Sequence, residues 1–121
     1  MDVKYTKDHE WVKLDGDYAV VGITAFAADQ LGDIVFLDVN TVGETLEKED
    51  VFGTVEAVKT VSDLLLPVSG EIVEFNQKLE ENPVLVNTDP FGAGWIIKVK
   101  VSNPSEFEEL LSKEQYNELV G

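Results

Sequence analysis

The segment VEAVKTVSDLLLPVSG, Val55 to Gly70, holds a lysine where strand periodicity has no room for one. From Val51 to Leu66 the chain is rich in β-branched residues, lacks proline and has Gly53 as its only glycine, so it reads as strand. As one uninterrupted strand it would put Lys59 on the face shared by Val51, Val55, Ala57 and Val61. That face belongs in a core, and an unpaired ammonium does not. Strands seldom exceed about ten residues, so the run must reverse somewhere. Its most polar interior positions are Glu56, Lys59, Thr60 and Ser62-Asp63. A reversal over Val58 to Thr60 would split it into two strands and lift Lys59 to the tip of a hairpin. No Gly, Asn or Pro marks that turn, so the prediction rests on the cost of burying a charge and on strand length.

Outward from this hairpin, short strands and turns alternate. Upstream, Glu10–Leu14 and Tyr18–Ile23 flank Asp15-Gly16-Asp17 as a second hairpin. Thr24 offers an N-cap for a short helix, TAFAADQLG, that Gly32 ends. Strand-like Ile34–Val39 and a turn at Thr41-Val42-Gly43-Glu44 lead into Val51. Downstream, strands are expected at Glu71–Phe75, Val84–Asn87 and Trp95–Val101, with Asp89 to Gly94 a loop. Asn103-Pro104-Ser105-Glu106 has the form of an Asn capping box, and Ser112 to Gln115 repeats the signal. Phe107, Leu110 and Leu111, then Tyr116, Leu119 and Val120, give two short apolar helix faces. The pattern predicts a mainly β fold, a sandwich or barrel, with one helix in the first half and a helical segment over 103–120. No low-complexity linker divides the 121 residues, so one domain, 1–121, is expected.

The charge balance narrows the function. There are 24 acidic residues against 9 basic ones, all lysines, for a net charge of -15. Such a chain repels nucleic acid and lacks the arginine fork that grips phosphate. Without cysteine it has no disulfide, thiolate nucleophile or thiolate metal site. Its start, Met1-Asp2-Val3-Lys4, is charged and resembles no signal or transit peptide, and no apolar run approaches membrane-spanning length. A complete cytoplasmic protein is expected, acting as a monomer, with no membrane and no nucleic acid as partner.

Catalytic equipment is missing. His9 is the only histidine, which rules out a two-His zinc site; no Gly-x-Ser-x-Gly elbow points to a Ser-His-Asp triad, and no metal site is expected. Gly92-Ala93-Gly94 opens a strand rather than a helix and is no dinucleotide loop. No residue is therefore assigned a catalytic role. A non-catalytic protein can still carry a cofactor, and an acylated lysine at an exposed tip suits that task.

The surroundings of Lys59 support it. GETLEKEDVFGTVEAVKTVSDLLLPVSGEI resembles the core of lipoyl and biotinyl carrier domains: the Gly43-Glu44 turn, Lys48-Glu49-Asp50, Glu56 three residues before the lysine, and the Pro67-Val68-Ser69-Gly70 turn after it. Biotin carriers place methionine on both sides of the lysine, where this chain has Val58 and Thr60. Lipoyl domains of 2-oxoacid dehydrogenases carry Asp-Lys-Ala, which also differs. The fuller resemblance is to the H proteins of the glycine cleavage system. It rests on His9-Glu10-Trp11-Val12, Val21-Gly22-Ile23-Thr24, Leu85-Val86-Asn87, Pro90-Phe91-Gly92-Ala93-Gly94-Trp95 and Asn103-Pro104. Family members read Glu-Ser-Val-Lys-Ala at the lysine; here it is Glu-Ala-Val-Lys-Thr.

The resemblance implies a flattened β-barrel, or sandwich hybrid, with lipoate joined to Lys59 Nζ as an amide. It implies a carrier that takes the aminomethyl group of glycine from a pyridoxal-phosphate glycine decarboxylase to a tetrahydrofolate-dependent aminomethyltransferase. A dihydrolipoamide dehydrogenase then reoxidises the arm, and a lipoate ligase or lipoyl-transfer enzyme installs it. It implies Glu56 and Gly70 as determinants of lipoylation, and Glu10 and Asp63 as a cleft for the loaded arm. Gln30 stands where family members often have histidine. An H-like protein that only relays or stores lipoyl groups, a lipoyl or biotinyl carrier module of another complex, and a plain binding protein whose Lys59 is never modified remain the alternatives.

Overall fold

The computed structural model describes residues 3–120. Glycine and threonine set the first turns. Strand β1 (Val3–Tyr5) pairs antiparallel with β2 (Glu10–Asp15), and β2 with β3 (Tyr18–Ile23). Gly16, at φ 64°, opens the two-residue connection between β2 and β3; positive φ at the first central position suits the twist of a tight hairpin. Helix α1 (Ala25–Leu31) starts where the Thr24 hydroxyl accepts from Ala27 N at 3.2 Å, and Gly32 ends it. There follow β4 (Ile34–Asp38), the two-residue β5 (Thr45–Leu46), β6 (Val51–Ala57), β7 (Val61–Leu65) and β8 (Gly70–Phe75). Short helices α2 (Lys78–Glu81) and α3 (Leu85–Thr88) lead to β9 (Ile97–Val101), and α4 (Ser105–Glu108) and α5 (Lys113–Val120) follow it.

The strands form two antiparallel sheets, ordered β1-β2-β3-β9-β8-β5 and β4-β6-β7. Neither sheet closes on itself. The result is mainly β, a flattened barrel-like sandwich. Val21, Ile23, Ile72 and Val99 of the larger sheet face Leu37, Phe52, Val55 and Leu64 of the smaller one across the main core. A second cluster packs Phe107 and Leu110 onto Val12, Ala19 and Val68, and a third joins Tyr5, Trp11 and Tyr116. The terminal helices are thereby bound to the larger sheet.

Two expectations fail for physical reasons. Val84–Asn87 is not a strand: Leu85–Thr88 is one helical turn after Pro83. Three apolar residues followed by an asparagine fit either period, and here tertiary contacts decide. Val86 enters the core, while Asn87 Oδ1 accepts from Ile34 N at 3.0 Å and Asn87 Nδ2 donates to Gly32 O at 2.9 Å. Asn87 thus fixes the end of α1 and the start of β4. The expected Asn103 box also does not form. Asn103 Oδ1 accepts from the Ser105 hydroxyl at 2.7 Å, and Glu106 reaches away to accept from Ser69 N at 2.7 Å and Ser69 Oγ at 2.9 Å. The second box does form: Ser112 N donates to Gln115 Oε1 and Gln115 N to Ser112 Oγ.

Gly70 serves the close approach of two strands rather than a left-handed turn. A side chain there would run into the Lys100 carbonyl oxygen, with Val99 Cγ1 also only 2.7 Å from the new Cβ. Gly70→Val is therefore expected to cost about 3 kcal/mol, read as a clear drop in the melting midpoint. An unchanged midpoint would mean that β8 and β9 can part freely.

Candidate functional site

Lys59 lies where charge and strand length predict. Ala57 N donates to Thr60 O at 2.8 Å, closing a turn around Val58 and Lys59, and Val58 N donates to Asp33 O at 3.0 Å, tying the tip to the start of β4. Among the described residues, only His9 and Glu49 have positive φ without being glycine. Val58 and Lys59 therefore make a turn that ordinary residues can fill, which explains the missing Gly or Asn. The Lys59 side chain is exposed and takes part in no ion pair among the described residues. Its amine is an available nucleophile when deprotonated.

Reversal also changes which residues share a face. In a continuous strand Val55 and Val61 would share one face. In the hairpin Val61 pairs with Glu56, and Glu56 with Phe36 of β4. Val55 and Ala57 are buried, as expected for the inward face, whereas Val51 and Val61 are exposed. Glu56 thus stands exposed close behind the lysine, while Gly70 belongs to the other sheet and is no part of the tip.

Glu10 and Asp63 do come together. Both line an open cleft of about 450 Å³ with Lys7, Asp8, His9, Ser62 and Leu65. Asp63 is exposed on β7, whereas Glu10 is only 4% exposed. Burial pushes the Glu10 carboxyl up to about 7; the Thr6 hydroxyl donating to it at 2.6 Å pulls the other way, and the Asp8 charge adds a small upward push. The loop before Glu10 is built for this. Glu10 N and Asp8 N donate to Thr6 Oγ1, His9 adopts φ 71°, and Thr24 N donates to His9 O. Beyond it, the Tyr116 hydroxyl lies 2.9 Å from His9 Nδ1 and 2.7 Å from Thr24 Oγ1, so α5 braces the loop that presents Glu10. Gln30 is exposed on α1 and does not line the cleft; His9 does.

Sequence reasoning missed Thr6 and Tyr116. A threonine four residues before a glutamate is a faint sign of a local turn, and nothing in a lone tyrosine announces a partner 107 residues away. Among the described residues no three His, Cys, Asp or Glu side chains gather as a metal site, and no helix is long and apolar enough to cross a membrane.

Comparison with known proteins fits this geometry. The family model described as glycine cleavage H-protein matches residues 3–121. The chain belongs to this family. It is 60% identical over 119 residues to the glycine cleavage system H protein of Bacteroides fragilis, covering 98% of this chain and 94% of that one. The counterpart from Symbiobacterium thermophilum is 53% identical over 116 residues, covering 96% and 91%. A crystal structure of a glycine cleavage system H protein from Mycobacterium marinum superposes with a TM-score of 0.89 at 41% identity, covering 99% of this chain and 97% of that one.

The raised Glu10 value makes stability depend on pH. A folded-state value near 7, against 4.5 for an ordinary glutamate, means that the folded protein holds this proton more tightly. That stabilisation is complete below about pH 4.5 and is lost as pH rises through 7. Glu10→Gln abolishes the dependence, so the variant should gain on wild type by up to about 3 kcal/mol between pH 5 and pH 8. Urea unfolding at the two pH values measures it; parallel curves would show that Glu10 is solvated.

Proposed function

We propose that this protein carries lipoate as an amide on Lys59 Nζ and works as the non-catalytic shuttle of glycine cleavage. It takes the aminomethyl group of glycine from a pyridoxal-phosphate decarboxylase to a tetrahydrofolate-dependent aminomethyltransferase, and a dihydrolipoamide dehydrogenase returns it to the oxidised form. The whole chain acts as one carrier unit in the cytoplasm. The observation that carries this reading is the exposed Lys59 on a two-residue turn, in no ion pair among the described residues, in a chain of the glycine cleavage H-protein family.

The residues fit the group. Lys59 faces solvent and is in no ion pair among the described residues, so its amine is accessible to an activated acyl carbon. Glu56, exposed beside the tip, offers a recognition carboxylate to the enzyme that performs the attachment. When bound, lipoate supplies a reversible dithiol–disulfide pair at the end of a long arm.

Glu10 and Asp63 then have a role of their own. Asp63 is four residues past Lys59, on the order of 13 Å along the chain, within reach of an arm attached at the tip. A primary ammonium on a loaded arm would meet the Asp63 side chain and, behind it, Glu10, whose carboxyl burial holds up at about 7. The arriving charge would lower the Glu10 value, Glu10 would release its proton to solvent, and its carboxylate would accept a charge-assisted hydrogen bond from the ammonium. Keeping water from the carbon next to that nitrogen is the benefit.

Intact mass after incubation with a lipoate ligase should show one lipoyl addition, absent in Lys59→Arg, because arginine keeps the charge but cannot form the amide. The lipoylated protein should then support glycine–bicarbonate exchange with the decarboxylase. Lipoylation without exchange would point to a lipoyl relay instead. For the cleft, wild type and Glu10→Gln/Asp63→Asn are charged with glycine-derived carbon and freed of other enzymes. Ammonia should leave the double variant about tenfold faster; equal rates would mean that the carboxylates offer no protection.

A further inference from the structure

The outward face of the three-stranded sheet is unlike a solvated sheet surface. Its register sets two rows across the strands: Phe36–Glu56–Val61 near the tip, and Asp38–Thr54–Asp63 below it. Phe36 is 54% exposed, Val61 60%, and Val58 in the turn above them 70%. None of the three supplies the main core, which on this sheet is carried by residues such as Ile34, Leu37, Phe52, Val55 and Leu64. The larger sheet treats its outward positions differently, with charged pairs such as Lys100 beside Glu71 and Lys98 beside Glu74. Single exposed apolar residues are ordinary, but apolar residues gathered at one end of a sheet mark a contact surface.

We propose that this face docks the enzyme that attaches lipoate. Phe36, Val58 and Val61 seat in apolar depressions of that enzyme, while Glu56 between them and the acidic residues of the row below meet its lysines or arginines. This rests on the reading of Lys59 as the lipoylated residue. Reach selects the occupant. The Lys59 amine extends only on the order of 6 Å from its own backbone, so an active site that acylates it must cover the tip. Phe36, Glu56 and Val61 lie on adjacent strands spaced about 4.8 Å apart, and an enzyme covering the tip covers them too. Enzymes that act on the far end of the finished arm need no such closeness. Charge agrees: no basic residue occurs between Leu14 and Glu47, and Lys59 is the only one between Glu49 and Gln77. Before acylation it is the lone cation of these strands and their turn, set among Asp33, Asp38, Glu56 and Asp63, so a partner with a basic rim is favoured and steered here. Phe36 therefore belongs to the recognition element although it lies on another strand from the lysine.

The test is the initial rate of lipoylation of unmodified protein by a lipoate ligase with ATP and lipoate. Wild type is compared with Phe36→Thr/Val61→Thr and with Leu119→Ser, an exposed control on α5. The double variant should raise KM for the protein about tenfold at nearly constant kcat, with an unchanged melting midpoint and no effect in the control. Should the double variant melt early, the wild-type protein labelled with 15N decides. Added ligase should perturb the amide signals of Phe36 and Val61, and perturbation confined to Val58–Thr60 would overturn the proposal. Wild-type lipoylation with unaltered kinetics in the double variant overturns the docking face and leaves the carrier reading standing. Normal lipoylation with lost glycine–bicarbonate exchange assigns the face to the decarboxylase and overturns it equally. Failure of the wild type to accept lipoate at all removes the carrier reading and this proposal together.

Discussion

The backbone bond from Ala57 N to Thr60 O is the constraint on which the site depends. By reversing the chain within two residues, it makes an ammonium compatible with a strand-rich segment. It also sets Val61 opposite Glu56 rather than on the side of Val55, so one turn decides the composition of both faces of the smaller sheet. The same register carries Asp63 to the edge of that sheet, beside the loop that presents Glu10. A turn requiring left-handed backbone would need Gly or Asn; this one leaves its two central positions to a valine and a lysine.

Much of this was legible in the sequence, because it follows from costs that act locally. Burying Lys59 is expensive wherever the rest of the chain goes, and Asp15-Gly16-Asp17 turns for reasons confined to a few residues. Where distant partners compete, local reading fails. Val84 to Asn87 reads like a strand, but Asn87 stabilises more as a clamp on the end of α1, and the backbone coils to deliver it. Glu106 has the spacing of a capping residue, yet two hydrogen bonds from Ser69 outweigh the helix start. Glu10 and Asp63 could be named by resemblance, but their meeting in one cleft depends on how the two sheets face each other. Phe36 gave no signal at all, since an outward position is indistinguishable from an inward one until the register with β6 is known.

Acidity in this protein has two physically different forms. Most of its carboxylates are solvated and contribute a long-range field that bears on approach and solubility. Glu10 is withdrawn from water, and its charge is conditional on what stands beside it. A carboxylate that ionises fully only in the presence of a cation binds that cation without repelling everything else at rest. The exposed ion pairs, Lys4–Glu108, Lys48–Glu109 and Lys98–Glu74, are long and wet, and they contribute little beside the core.

The bond between His9 and Tyr116 also orders events in time. Its partners are separated by 107 positions, and β1 is likewise joined to Leu111 through paired backbone bonds. Synthesis from the N-terminus makes the hairpin bearing Lys59 long before it makes Tyr116. The turn at Lys59 relies on near neighbours, whereas the loop beneath Glu10 gains its brace only when α5 docks. Contacts of such long range are slow to close because the intervening chain must first be ordered. The brace beneath Glu10 is therefore the last part of the cleft wall to close, and a nascent or C-terminally clipped chain would hold Thr6 to Glu10 without it.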